Sequence, residues 1–180
     1  MNYNKLKRNA ILPQVNIRKA GETDSAVLAS IIHDSFQDVA KQFHLDSINC
    51  PAHPSNCTEE WIRSDFAEGK VYFIAEIDIP AGCVFFDKIN EQSCELGRLA
   101  VLPAFRLKGI GKKLIQSVEI EAKTRGLEQI DISIIAEHES LKKWYLNLGF
   151  VEGDRTRFEH LPFEVLFMSK ANSMEFGGHP

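Results

Sequence analysis

The chain has 180 residues, a formal net charge of −4, and 44% apolar against 26% charged residues. That length suits one domain with a sizeable core and hardly permits two. The acidic total argues against a general nucleic-acid partner, which needs a net basic surface or a large basic face. No apolar run approaches the ~18 residues that span a bilayer, so no membrane partner is expected.

Residues 1–14 carry Lys5, Lys7 and Arg8 but no apolar stretch of the kind a secretory leader needs, and read as a flexible arm. The domain is expected over 15–170. Residues 171–180, with Gly177-Gly178, read as a flexible tail.

Val15 and Ile17 alternate with polar neighbours and predict a short strand. Leu28, Ile31, Ile32, Phe36, Val39 and Phe43 then recur at helical spacing, which predicts an amphipathic helix. Pro51 and Pro54 forbid regular helix in the loop that follows. Thr58 with Glu59-Glu60 suits the cap and first turn of a second helix, ending near Gly69. Two strands are predicted over 71–77 and 81–86, with Pro80-Ala81-Gly82 as their turn, and a third over 94–102. A helix on the face Ile110, Leu114, Ile115, Val118 and Ala122 should end at Gly126. Ile130 to Ile135 reads as a buried strand. Leu141, Trp144, Tyr145 and Leu148 define a short helix closed by Gly149, and strands near 150–157 and 163–169 complete the chain.

The order is β-α-α-β-β-β-α-β-α-β-β. It predicts a single α/β (α+β mixed) domain, with one mixed central sheet of about seven strands covered by about four helices.

The four cysteines, Cys50, Cys57, Cys83 and Cys94, are expected to be free thiols of a cytoplasmic protein. Cys50, His53 and Cys57 lie close together, but their spacing fits no common zinc module and no fourth ligand is evident, so no metal is expected.

The stretch from Leu99 to Leu114 runs strand, glycine-containing loop, helix. A helix start exposes unpaired N–H groups and a partial positive charge, and Gly109 and Gly111 would let a phosphate approach the backbone. From Ala104 to Gly126, Arg106, Lys108, Lys112, Lys113, Lys123 and Arg125 outnumber the acidic Glu119 and Glu121. Within an acidic chain that marks an anion site. A Walker loop is absent, and Leu114 stands where a dinucleotide fingerprint would want its third glycine. On Gly-x-Gly alone, a tight helix start with a solvated basic face is the favoured reading, because so short a motif is frequent by chance.

Arg106-x-x-Gly109-x-Gly111, after a strand reading Leu-Ala-Val-Leu-Pro, resembles motif A of the GNAT superfamily of N-acetyltransferases. Glu139 to Phe150, with Tyr145 and a terminal Gly-Phe, resembles that family's motif B. The resemblance covers roughly residues 15–170. It implies an acyl-CoA N-acyltransferase fold, whose sheet splays into a V-shaped cleft, and acetyl-CoA as co-substrate. The pantetheine arm would lie along Leu99, Ala100 and Val101. The pyrophosphate would meet the amides of Arg106, Leu107, Lys108, Gly109, Ile110, Gly111 and Lys112, with Arg106 adding charge. His138 stands where many members have Asn, and still offers pantetheine a hydrogen bond.

An amine attacks a thioester only as the free base, so a general base is useful, and the leaving thiolate wants a proton. Tyr145 matches the family tyrosine and is the candidate acid, although it also lies on an apolar helical face. Glu95 resembles a position where some members hold a catalytic glutamate, and is the first candidate base, ahead of His138 and His53. Phe36, His53 and His160 fall where the family lines its acceptor side. The expected acceptor is a small-molecule primary amine; a peptide or protein amine, and a non-catalytic acyl-CoA sensor, are the alternatives. The oligomeric state is open between monomer and homodimer.

Overall fold

The computed structural model describes residues 14–172. Most of the arm expected over 1–14, and residues 173–180 of the expected tail, lie outside it.

The elements follow the predicted order. Strand β1 is Asn16–Lys19, and helices α1 and α2 are Ser25–Phe43 and Glu59–Ala67. Strands β2, β3 and β4 are Val71–Ile77, Ile79–Lys88 and Ser93–Val101. Helix α3 is Ile110–Thr124, β5 is Gln129–Ile135 and α4 is Glu139–Asn147. Strands β6 and β7 are Val151–Arg157 and Glu164–Ala171. Local chemistry sets the ends. The Thr58 hydroxyl accepts the Trp61 N–H at the start of α2, and His44, at φ 54°, closes α1 in the left-handed region.

Two boundaries differ from expectation. The turn between β2 and β3 is centred on Asp78, at φ 62°, and not on Pro80-Ala81-Gly82. Pro80 pairs with Glu76 inside β3. It is tolerated there because β4 joins β3 only from Gly82 onward, so no partner on that side needs its missing N–H. At the other end, Ala171 completes β7, and Asn172 is held in place. Its N–H donates to Glu128 C=O at 2.7 Å and its Nδ2 to Leu127 C=O at 3.1 Å.

The seven strands form one sheet in the order β1-β2-β3-β4-β5-β7-β6. One face packs on α3 and α4 through Phe86, Leu96, Leu114, Val118, Ile130 and Phe150. The other packs on α1 and α2 through Leu28, Ile32, Ile62, Ile74 and Phe85. Full burial of such a side chain contributes about 1.5–3 kcal/mol.

The site follows from one irregularity. Among the described residues the only parallel pair, β4 with β5, is joined at Ser93–Glu95 against Gln129–Asp131 and not beyond. Past Glu95 the two strands separate. β5 continues along β7, while β4 stays on β3 and carries a bulge: Cys83 pairs with Ala100 but Phe85 with Gly97, two steps against three. Arg98 sits in that bulge at φ 48°. The sheet therefore splays into a V whose apex is Glu95.

Candidate active site

The V opens into a cleft of about 1000 Å3, lined by β4, β5, α1, the α1–α2 loop, the start of α3, and α4. Its donor side is mostly backbone. From Leu96 to Val101, β4 has no partner on the β5 side, so main-chain polar groups there await an amide-bearing ligand. At the end of that strand the chain turns into α3. No group among the described residues accepts the N–H of residues 107–112, and the first closing bond is Lys113 N–H to Gly109 C=O, at 3.2 Å. Six amides at a helix start form an anion cradle.

The two loop glycines have different reasons. Gly109 adopts φ 78°, a region that glycine enters freely, and a side chain there would meet nothing within 4 Å. Gly111 lies under Trp144, whose ring would be 3.3 Å from an added Cβ. It lets α3 and α4 pack closely at this point.

The charge around the loop also differs from expectation. The Arg106 guanidinium is turned to α1. It pairs with Asp38, and donates to Ser35 C=O at 2.7 Å and Val101 C=O at 3.0 Å. The pair holds the Asp38 carboxyl below its ordinary range. Arg106 thus bolts α1 to the loop, and its charge is already matched. Lys108 donates to Ala104 C=O at 3.2 Å and does not line the cleft, whereas Lys112 does.

Tyr145 is buried, edge-on to Trp144 and Phe150 at 5.0 and 5.2 Å between ring centroids. Its hydroxyl bonds to no described residue and is not enclosed, so its free valence is open to the cleft that Tyr145 lines. Burial pushes its pKa well above the usual phenol. His138 lines the same cleft and caps α4, its Nδ1 accepting from Leu141 N–H at 3.4 Å. Burial lowers its pKa.

Glu95 lines the cleft at its apex. Burial, with the Asp87 charge next, raises its carboxyl above the ordinary range. It does not pair with Arg98, whose guanidinium turns to Asp65. In register, Asp87, Glu95 and Asp131 stand side by side on β3, β4 and β5, and so share one face. Sequence reading missed Asp87 and Asp131, since nothing local signals a row spread over three strands.

On the acceptor side, His53 and Phe36 meet edge to face at 5.8 Å, and both line the cleft. The His53 Nδ1 lies 2.8 Å from Ser55 Oγ, and burial pushes the imidazole down to about 4. His160 does not join them. It is exposed beside Phe158 and outside the lining, because the β6–β7 loop turns Leu161 and Phe163 inward instead. Those two pack on the cluster of Ala40, Leu45, Cys50 and Ile135 and bridge the arms of the V.

All four cysteines are buried and unpaired, and burial pushes Cys57 up to about 11. Among the described residues, no three His, Cys, Asp or Glu side chains are grouped to hold a metal, and no helix is long and apolar enough to cross a membrane.

Residues 68–152 match the family model described as Acetyltransferase (GNAT) domain. Among solved structures, PaiA N-acetyltransferase from Thermoplasma acidophilum, in complex with coenzyme A, aligns with a TM-score of 0.74 at 19% identity, over 88% of this chain and 99% of that one. The ribosomal-protein-S18-alanine N-acetyltransferase of Escherichia coli aligns at 0.71 and 18% identity, over 93% and 99%. The protein YncA of Salmonella typhimurium, with its cofactor acetyl-CoA, aligns at 0.66 and 18% identity, over 92% and 98%. No curated protein sequence matches the chain. At such identities the structures establish the fold, while the matched segment spans both the loop at Arg106 to Gly111 and the helix ending in Gly149-Phe150. The chain therefore has the fold of the GNAT acetyltransferases, and its residues 68–152 carry the match to that family's domain model.

Proposed function

We propose that the protein transfers the acetyl group of acetyl-CoA to a primary amine of a small, cationic molecule, by direct attack in a ternary complex. The observation that carries this reading is continuity. The unpaired edge of β4 runs straight into the six free amides of residues 107–112, with the Tyr145 hydroxyl across the cleft. An amide-bearing arm ending in a pyrophosphate fits that run.

Acetyl-CoA supplies the activated acyl group. The chain does the rest. Glu95 takes the ammonium proton, directly or through water. Its raised pKa brings it nearer to neutrality, where a base works best. His53 and His138, the competing bases, are weakened by burial. Backbone N–H groups at the β4 bulge are the donors available to an oxyanion. Tyr145 donates its O–H to the departing sulfur. Full proton transfer from an ordinary phenol to a thiolate is uphill by about 2 kcal/mol, and burial makes it steeper. Tyr145 therefore hydrogen-bonds to the sulfur and passes on its proton only as the C–S bond breaks, and the proton shed by the attacking nitrogen restores the phenol.

Two observations bear on the acceptor. The carboxylates of Asp87 and Glu95, both on the cleft lining, favour a cation. The apolar bridge from Phe43 and Cys50 to Leu161 and Phe163 narrows the acceptor end, which favours a small molecule over a polypeptide. Four buried, unpaired thiols support a reducing, cytoplasmic compartment.

The test is thiol release from acetyl-CoA against a panel of small amines and amine-bearing peptides. Turnover highest with small polycationic amines is expected. Turnover with peptides alone would replace the acceptor class. CoA binding without turnover on any amine would favour a sensor.

A further inference from the structure

The bulge in β4 needs an account of what holds it. Arg98 adopts φ 48°, a left-handed conformation that is unfavourable for a residue with a Cβ. Its neighbour Gly97 cannot carry a side chain, because the Phe85 ring fills that place, with its nearest atom 2.1 Å from an added Cβ. The Phe85 ring and the Trp61 ring lie 5.7 and 5.9 Å from the Arg98 guanidinium.

The guanidinium ends in a buried polar network on the α2 side of the sheet. Arg98 Nη1 pairs with the Asp65 carboxylate, and lies 2.6 Å from the Tyr72 hydroxyl oxygen. Tyr72 O–H in turn donates to Asp65 Oδ2 at 2.6 Å, and Lys70 Nζ reaches Asp65 Oδ1 at 2.7 Å. Asp65 is 4% exposed and Tyr72 fully buried. One side chain therefore ties the strained residue of β4 to α2 and to β2 together.

We infer that Arg98 is a positioning residue of the acetyl-transfer site: its tether to Asp65 and Tyr72 fixes the bulge and thereby aims the backbone of Leu99 to Val101 into the cleft. This rests on the acetyltransferase reading for its consequence, though not for its geometry. The tether lies beyond the pyrophosphate loop. Its loss displaces the thioester's surroundings without removing the groups that grip the nucleotide end of CoA. A displacement of about 1 Å at a reacting centre costs up to about 100-fold in rate.

The test uses Arg98→Met in the full chain. Asp65 keeps Lys70 as partner, so the fold is expected to survive. Two readouts are taken. The amide signals of residues 97–101 in a 15N–1H spectrum should shift relative to the wild-type protein. The kcat for acetyl transfer should fall about 10- to 100-fold, with CoA affinity within about threefold. Arg98→Gly, which removes both guanidinium and backbone strain, should show the same loss. Unshifted amides, or kcat within about twofold of wild type in folded Arg98→Met, would overturn the positioning role. Should Arg98→Met fail to fold, Tyr72→Phe leaves the Arg98–Asp65 pair and should shift the same amides by less; no shift there overturns the role as well. The amide signals require no turnover. A wild-type protein that acetylates no amine therefore overturns the enzymatic reading alone, and the spectra still decide the tether.

Discussion

The two sides of the cleft are built by opposite means. The donor side is backbone: an unpaired strand edge, six amides at a helix start, and a glycine at φ 78°. The acceptor side is side chains drawn from distant elements: Phe36 on α1, His53 in a loop, Glu95 at the apex, and Leu161 and Phe163 from the far arm. Backbone geometry depends on few residue identities, since most side chains leave it unchanged. It therefore suits a constant ligand. A wall of side chains changes with every substitution and suits a ligand that differs between relatives. The division explains why motifs announce the donor and remain silent about the acceptor.

The largest expected effect separates the two sides outright. Gly109→Glu should lower CoA affinity by more than about 100-fold in calorimetry, since it puts a carboxylate beside the amide cradle and strains a left-handed backbone. Gly109→Ala carries the strain alone, and should weaken binding by only about 5- to 30-fold. Near-equal loss in the two variants would show that strain, and not charge, dominates.

Tyr145→Phe should lower kcat about 10- to 100-fold while CoA affinity holds. The ring packing on Trp144 and Phe150 survives the change, so stability should hardly move. Unchanged kcat would return Tyr145 to a core residue.

Glu95→Gln bears on the junction of the two sides. If Glu95 is the base, the rate of the wild-type protein falls with pH through its raised pKa, and the variant loses that acid limb together with most of its rate. Stability gives a second reading, with a definite sign. A carboxyl whose folded pKa is raised favours the folded state when protonated, at pH below its unfolded value. That contribution is lost as pH rises through the folded value. Thermal melts should therefore show Glu95→Gln more stable than wild type near neutrality, with the difference vanishing in acid.

The smallest effect belongs to the acceptor wall. His53→Ala should raise the acceptor KM about three- to tenfold and leave acetyl-CoA kinetics alone. Because burial holds the imidazole near 4, that effect should not change between pH 6 and 8. A pH-dependent effect in that window would mean that His53 titrates when substrate is bound.

Sequence patterning reached most of the fold because its signals are local. Leu28, Ile32 and Phe36 at helical spacing, the cap at Thr58, and the glycines at 69, 126 and 149 each act within a turn or two of chain. The donor loop was legible for the same reason, as strand, loop and helix start are contiguous. Pro80 misled because a proline marks a turn unless the neighbouring strand happens to stop short of it, and that is a property of the sheet. The pairing of Arg106 with Asp38 was not legible, because the two are 68 residues apart.

The sequence by itself determined the order of elements and the presence of an anion-binding helix start, since both depend on the φ/ψ preferences and periodicity of neighbouring residues. Only the tertiary structure decided where β4 leaves β5, that Asp87, Glu95 and Asp131 share a row, and that Arg98 and Arg106 pair with Asp65 and Asp38. Register and ion pairing across strands and helices arise from burial and from matching charge at long range, and no local stretch of the chain encodes them.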